Sequence, residues 1–75
     1  MQDVDKITEK YVTEIQAVAE RKAFLLKGLR DMVNDPAECE NTDRLIGGLT
    51  YYEEAMDELE TKKRAIVREF ISHFE

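Results

Sequence analysis

The side chains able to do chemistry are few, and their spacing does not bring them together. His73 is the only histidine and has Ser72 beside it. Neighbours in a helix point in different directions, so the two do not form a nucleophile–base pair. The carboxylate pairs Glu53-Glu54 and Glu58/Glu60 are divided in the same way. Glu54 and Glu58 do share a face, but no Glu-x-x-His spacing accompanies them to suggest a metal. Gly47-Gly48 lacks the Lys-Ser/Thr and the preceding strand of a phosphate loop. Cys39 stands alone, which excludes an intrachain disulfide and a four-thiolate zinc site. The expectation is a protein that is not an enzyme and needs no metal or cofactor.

Charge carries more information. Eleven basic and seventeen acidic side chains give a net charge of −6, the wrong sign for a general binder of nucleic-acid polymers. Asp31, Asp35, Glu38, Glu40 and Asp43 crowd the middle of the chain. Lys62, Lys63, Arg64 and Arg68 gather towards its end. Folding the chain in half brings Lys6 and Lys10 alongside that basic group. One reading is ordinary charge segregation with ion pairs to Glu9, Glu60 and Glu69. The other is an anion-binding rim, formed or completed between subunits, where arginine clamps phosphate and an aromatic stacks on a base. Tyr11, Tyr51 and Tyr52 are the tyrosines available for stacking.

The elements that must position these groups are helices. Between Val4 and Val33 there is no proline and one glycine, Gly28. Val4, Tyr11, Val18, Leu25 and Met32 recur every seven residues; Val12, Ala19, Leu26 and Val33 repeat that interval one position on. Pro36 stops this helix, and Asp35-Pro36 also reads as a cap followed by a first helical residue. Residues 36–41 fit either a first turn or a loop. In the second half Leu45, Leu49, Tyr52, Met56, Leu59, Lys63, Ile66, Phe70 and His73 alternate steps of four and three, the spacing of a packed helix of heptad type. The expected organisation is one all-α domain over residues 1–75. Its helices run over about 3–33 and 43–73, with a turn at about 34–42, as an antiparallel hairpin.

A fold near residue 38 pairs positions whose numbers add to about 76. Gly28 then faces Gly47 and Gly48, and three helical glycines at one height suggest close backbone approach. The same frame sets Leu25 near Tyr51 and Tyr52, Val18 near Leu59, Tyr11 near Ile66, and Lys63 near Glu14. Each apolar stripe is wider than one mutual seam can cover. Val12, Ala19, Leu26, Val33, Ile46, Val67 and Phe74 supply the remainder, and exposed strips of that extent meet a partner. A hairpin this thin also buries little of its chain, so a homo-oligomeric helical bundle is expected. No apolar run is long enough for a membrane span and the N-terminus has no secretory signal. The expected location is the cytoplasm, that of a bacterium or of an infected host cell, with no membrane partner.

The segment Thr50-Tyr51-Tyr52-Glu53-Glu54-Ala55-Met56, preceded by Gly48-Leu49, resembles a motif of the phage hairpin proteins that sequester cyclic-nucleotide immune signals, the anti-CBASS and anti-Thoeris sponges. The order of parts is similar too: a first helix with an early tyrosine and later lysines, a short turn with proline and glutamate, then this helix. Where that family shows an arginine-tryptophan pair, this chain has Arg44-Leu45. The resemblance implies a non-catalytic homo-oligomer that binds cyclic di- or trinucleotides and withholds them from an effector. By position, Tyr11 would stack on a base, Lys27 or Lys22 would contact phosphate, and Lys62 or Arg64 would supply the second helix's basic contact.

Two other classes stay open. A small acidic helical protein could inhibit a host protein, in the manner of anti-restriction or anti-CRISPR proteins, with the acidic turn as its working end. A structural coiled-coil module is the third.

Overall fold

The computed structural model describes residues 3–75. Three helices follow in order: α1 over Val4–Val33, α2 over Pro36–Glu40 and α3 over Thr42–Ser72. α1 and α3 pack as an antiparallel pair and α2 sits across their shared end. The chain traces a rod of 59 × 16 × 8 Å. No helix among the described residues is long and apolar enough to cross a membrane.

Each helix starts on a side-chain cap. The Asp3 carboxylate accepts from the Lys6 backbone N–H at 3.2 Å, Asp35 from Ala37 at 3.0 Å, and the Asn41 side-chain oxygen from Arg44 at 3.1 Å. Each bond satisfies one of the orphan donors at a helix start, and such a cap is typically worth about 1 kcal/mol. Pro36 takes the first position of α2, where its missing N–H is no loss. Residues 36–40 therefore form a separate turn of helix that ends at Asn41, where α3 starts afresh, so the segment is neither a loop nor the first turn of the second long helix. The Cys39 thiol points back and donates to the Val33 carbonyl at 2.9 Å. Among the described residues no φ is positive, so the reversal is built from caps alone.

The register departs from the expected one. Tyr11 meets Phe70, Lys22 meets Glu60, Gly28 meets Tyr52 and Met32 meets Gly48. These pairs add to between 80 and 82, about one helical turn beyond 76. The cause is α2: it packs on the start of α3, with Glu38 Oε2 3.4 Å from Arg44 Nε. The first turn of α3 is thus spent on α2, and α1 engages α3 one turn later.

That slip overturns the glycine pairing. Gly28 receives the Tyr52 side chain, Gly48 receives Met32, and Gly47 faces open space. The helices approach by inserting a side chain over a glycine and not by backbone against backbone. Lys63 is exposed and leaves the seam; Glu14 lines a groove with Glu69 and Phe70 while Lys63 lines another with Glu60 and Arg64.

The seam buries little. Val18, Leu25 and Ile66 are the residues less than a tenth exposed, and ten large apolar side chains are 43–65% exposed among the described residues. Val12, Leu26, Val33, Ile46 and Phe74 are among the ten, Ala19 is exposed too, and Val67 is half-buried. The excess apolar width read from the heptads is therefore present on the folded surface.

Two glycine substitutions test this packing. Gly47→Ala meets nothing within 4 Å and should gain about 0.5–1 kcal/mol from helix propensity alone. Gly28→Ala puts a methyl group against the Tyr52 hydroxyl, with ring carbon Cζ at 3.2 Å, and should lose about 1 kcal/mol as the ring is displaced. Thermal unfolding followed by circular dichroism should move the two midpoints in opposite directions; equal gains would show that Tyr52 does not sit over Gly28.

Candidate functional site

A concavity lies at the open end of the hairpin, where the N-terminal third of α1 meets the last turns of α3. Its volume is about 410 Å³ and its walls come from Asp3, Lys6, Ile7, Lys10, Tyr11, Glu14, Ile66, Glu69, Phe70 and His73. Ile7, Tyr11, Ile66 and Phe70 are seam residues, so their presence follows from the apolar stripe. Lys6, Lys10 and Glu69 fall one position before or near the seam and therefore edge the same side of the hairpin.

The Tyr11 ring stacks on Phe70, centroids 4.4 Å apart at 29°, and Phe70 meets Phe74 edge-on at 5.1 Å. Tyr11 and Phe70 thus cover one face of each other's rings, and both stay half-buried in the cleft wall. Lys10 Nζ lies 3.6 Å from Glu69 Oε1, and both side chains are more than half exposed. Such a pair contributes little to stability, and an incoming anion can take the ammonium from it. The cleft combines a partly exposed aromatic pair with two lysines at its edge. Asp3, Glu14 and Glu69 in the same walls limit how much negative charge it welcomes.

The residues singled out from the sequence do not converge in one protomer. Tyr11 is in the open-end cleft. Lys62 lines a separate groove of about 280 Å³ with Arg21, Tyr51 and Glu58. Arg64 lines a third, along one side of α3, with Lys63, Val67 and Arg68. Lys27 is exposed and borders none of these grooves. Lys22 is half-buried and committed to Glu60 through an ion pair between the helices. The expected basic rim is thus split among three surfaces, Lys6 and Lys10 on one of them.

Phe70 and His73 are the cleft residues that the tyrosine-based reading passed over. Their signal was present: both continue the four-three seam of the second helix, and only the register was needed to set Phe70 against Tyr11. Arg21 over the Phe24 ring, 5.2 Å from its centroid, was also missed, although the i, i+3 spacing allows it. Among the described residues no three His, Cys, Asp or Glu side chains are grouped to hold a metal.

Among the described residues Lys22–Glu60 is the least exposed of three ion pairs and joins the two long helices. The hydrogen bond from Lys22, then its charge, then Lys63 hold the Glu60 carboxyl below its ordinary value. Comparison of the chain with protein-family models, with curated proteins and with solved structures finds no match.

Because Glu60 binds its proton less readily in the folded chain, its contribution to stability is full above the ordinary value of 4.5 and is lost as pH falls through the lower folded value. Glu60→Gln should therefore lower the thermal midpoint at neutral pH and merge with the parent chain in acid. A gap between the two midpoints that stays constant with pH would show that the pair is not what Gln removes.

Proposed function

We propose that this chain is a non-catalytic binding protein that works as a homo-oligomer and sequesters cyclic di- or trinucleotide messengers, a phage-type immune-evasion role. The observation that carries the reading is the open-end cleft: a stacked, half-buried Tyr11–Phe70 pair with Lys6 and Lys10 beside it. Base faces stack on aromatic rings whatever the base, and ammonium groups hold phosphate as point charges. The resemblance of Thr50–Met56 to the sponge motif supports the same ligand class. Sequestration asks for affinity and no bond-making, which suits a surface without a nucleophile–base pair. With a net charge of −6 the ligand is not steered from a distance, so capture rests on local contacts and on sites brought together by assembly.

The exposed acidic turn favours a second reading, an inhibitor or adaptor that caps a basic groove on a host protein. Asp31, Asp35, Glu40 and Asp43 are all exposed around α2, while Glu38 is paired with Arg44.

Titrating the purified chain with cyclic di- and trinucleotides in a thermal-shift assay tests the first reading. Ligand at a hundred times its dissociation constant stabilises the folded state by about 2.7 kcal/mol. Lys6→Glu with Lys10→Glu should remove the shift, and Tyr11→Leu should weaken it. Loss instead from Lys62→Glu with Arg64→Glu moves the site to a rim built between subunits. No shift with any of these nucleotides rejects the sponge. Sensitivity of host-protein binding to Glu38→Lys with Glu40→Lys would then support the second reading.

A further inference from the structure

One long side of the hairpin carries an apolar strip along α1 and a mixed apolar and charged strip along α3, and its pattern is symmetric. Moving one residue past the seam turns a helix face by about 100°, and because α1 and α3 run in opposite directions the turn leads to the same side of the rod. Lys10 and Glu69, each one residue before the stacked pair Tyr11–Phe70, meet on the opposite side, as that geometry requires. The side one step past the seam carries Val12, Ala19, Leu26 and Val33 from α1, all exposed. From α3 it carries Ile46, Leu49, Glu53, Met56, Glu60, Lys63, Val67 and Ile71, with Ile46, Leu49 and Ile71 among the exposed large apolar side chains and Glu60 held by Lys22.

Val12 and Val33 are centred between residues 22 and 23, and so are Ala19 and Leu26. On α3, Leu49 with Val67 and Glu53 with Lys63 are centred on residue 58, and Ile46 with Ile71 half a residue further on. The register between the helices places these two centres at the same height, since Lys22 pairs with Glu60 and Gly28 with Tyr52. One axis across the rod therefore passes through both centres.

We infer that this face docks on a second copy of the chain related by a two-fold axis across the rod, giving an antiparallel four-helix bundle with the two turns at opposite ends. The operation sets α1 on the partner's α1 and α3 on the partner's α3. Apolar side chains then meet apolar ones along α1, and Glu53 meets the partner's Lys63 twice over. The acidic half of α3 lies along the basic half of its counterpart, whereas an axis along the rod would press the two acidic turns together. A face of 59 Å by 16 Å offers on the order of 900 Å² per protomer and roughly 1,900 Å² in all, within the range of stable interfaces. The isologous arrangement closes on itself. It deepens the assembly half of the proposed function and is independent of the ligand: a dimer that binds no nucleotide removes the ligand alone, and a monomer that binds one removes the interface alone.

Sedimentation equilibrium of the full chain should give twice the 8.8 kDa chain mass; the mass of one protomer at high micromolar concentration overturns the inference. Because every dimer holds two Glu53–Lys63 contacts, Glu53→Lys or Lys63→Glu alone should weaken dimerisation by at least about tenfold. The double reversal should return it to within about threefold of the parent; a double variant no tighter than either single one overturns the pairing. Spin labels on the exposed Cys39 of the otherwise unaltered chain test orientation without any charge change. Turns at opposite ends place the labels about 50 Å apart, judged from helical rise; a separation below about 30 Å rejects the axis across the rod.

Discussion

A pair of helices has one mutual seam, whereas each helix here carries an apolar surface two heptad positions wide. The positions holding Tyr11, Val18, Leu25 and Met32 turn inward and those holding Val12, Ala19, Leu26 and Val33 are left outside. Three strongly buried side chains among the described residues are a small core for a chain of 75 residues. The hairpin therefore leaves one apolar position of every heptad of α1 uncovered. Lys22 and Glu60 cross the border between the seam and the open face, where each is partly exposed. If that face is covered, water leaves the pair, its attraction strengthens, and its mutual satisfaction becomes obligatory.

The turn decides where the two long helices sit along the rod. Asp3, Asp35 and Asn41 cap three successive helices, and the interval between the last two caps holds one turn of helix. That turn engages the first residues of α3, so the long helices meet late. The glycines then find side chains to accommodate: Tyr52 over Gly28 and Met32 over Gly48. The open-end cleft is a product of the same shift, since it is the offset that sets Tyr11 on Phe70.

Most of the architecture was legible because heptad spacing states which face is apolar and how wide it is. The bounds of both long helices, the reversal at Pro36 and the uncovered strip from Val12 to Phe74 all follow from that pattern. Register was not legible. It depends on whether Pro36 to Glu40 coil or extend, and the Asp35 cap served both outcomes equally. A slip of one helical turn preserves the apolar-to-apolar match in every heptad, so the stripes themselves could not report it. The candidate binding residues suffered most from this, since Lys22, Lys27, Lys62 and Arg64 point to surfaces that only three-dimensional register assigns. Lys22 was drawn into an ion pair because Glu60 arrives beside it one turn later than the simple fold-back places it.

The hairpin is joined covalently at one end and by aromatic rings at the other. Met32 and Gly48 lie sixteen residues apart in sequence and Lys10 and Glu69 fifty-nine apart, so contacts near the turn re-form after a small excursion and those at the open end after a large one. The rod thus behaves as a pair of tweezers whose jaws are Tyr11 and Phe70. Opening is concentrated where the cleft is, and amide exchange should grade from slow at mid-rod to fast at the jaws.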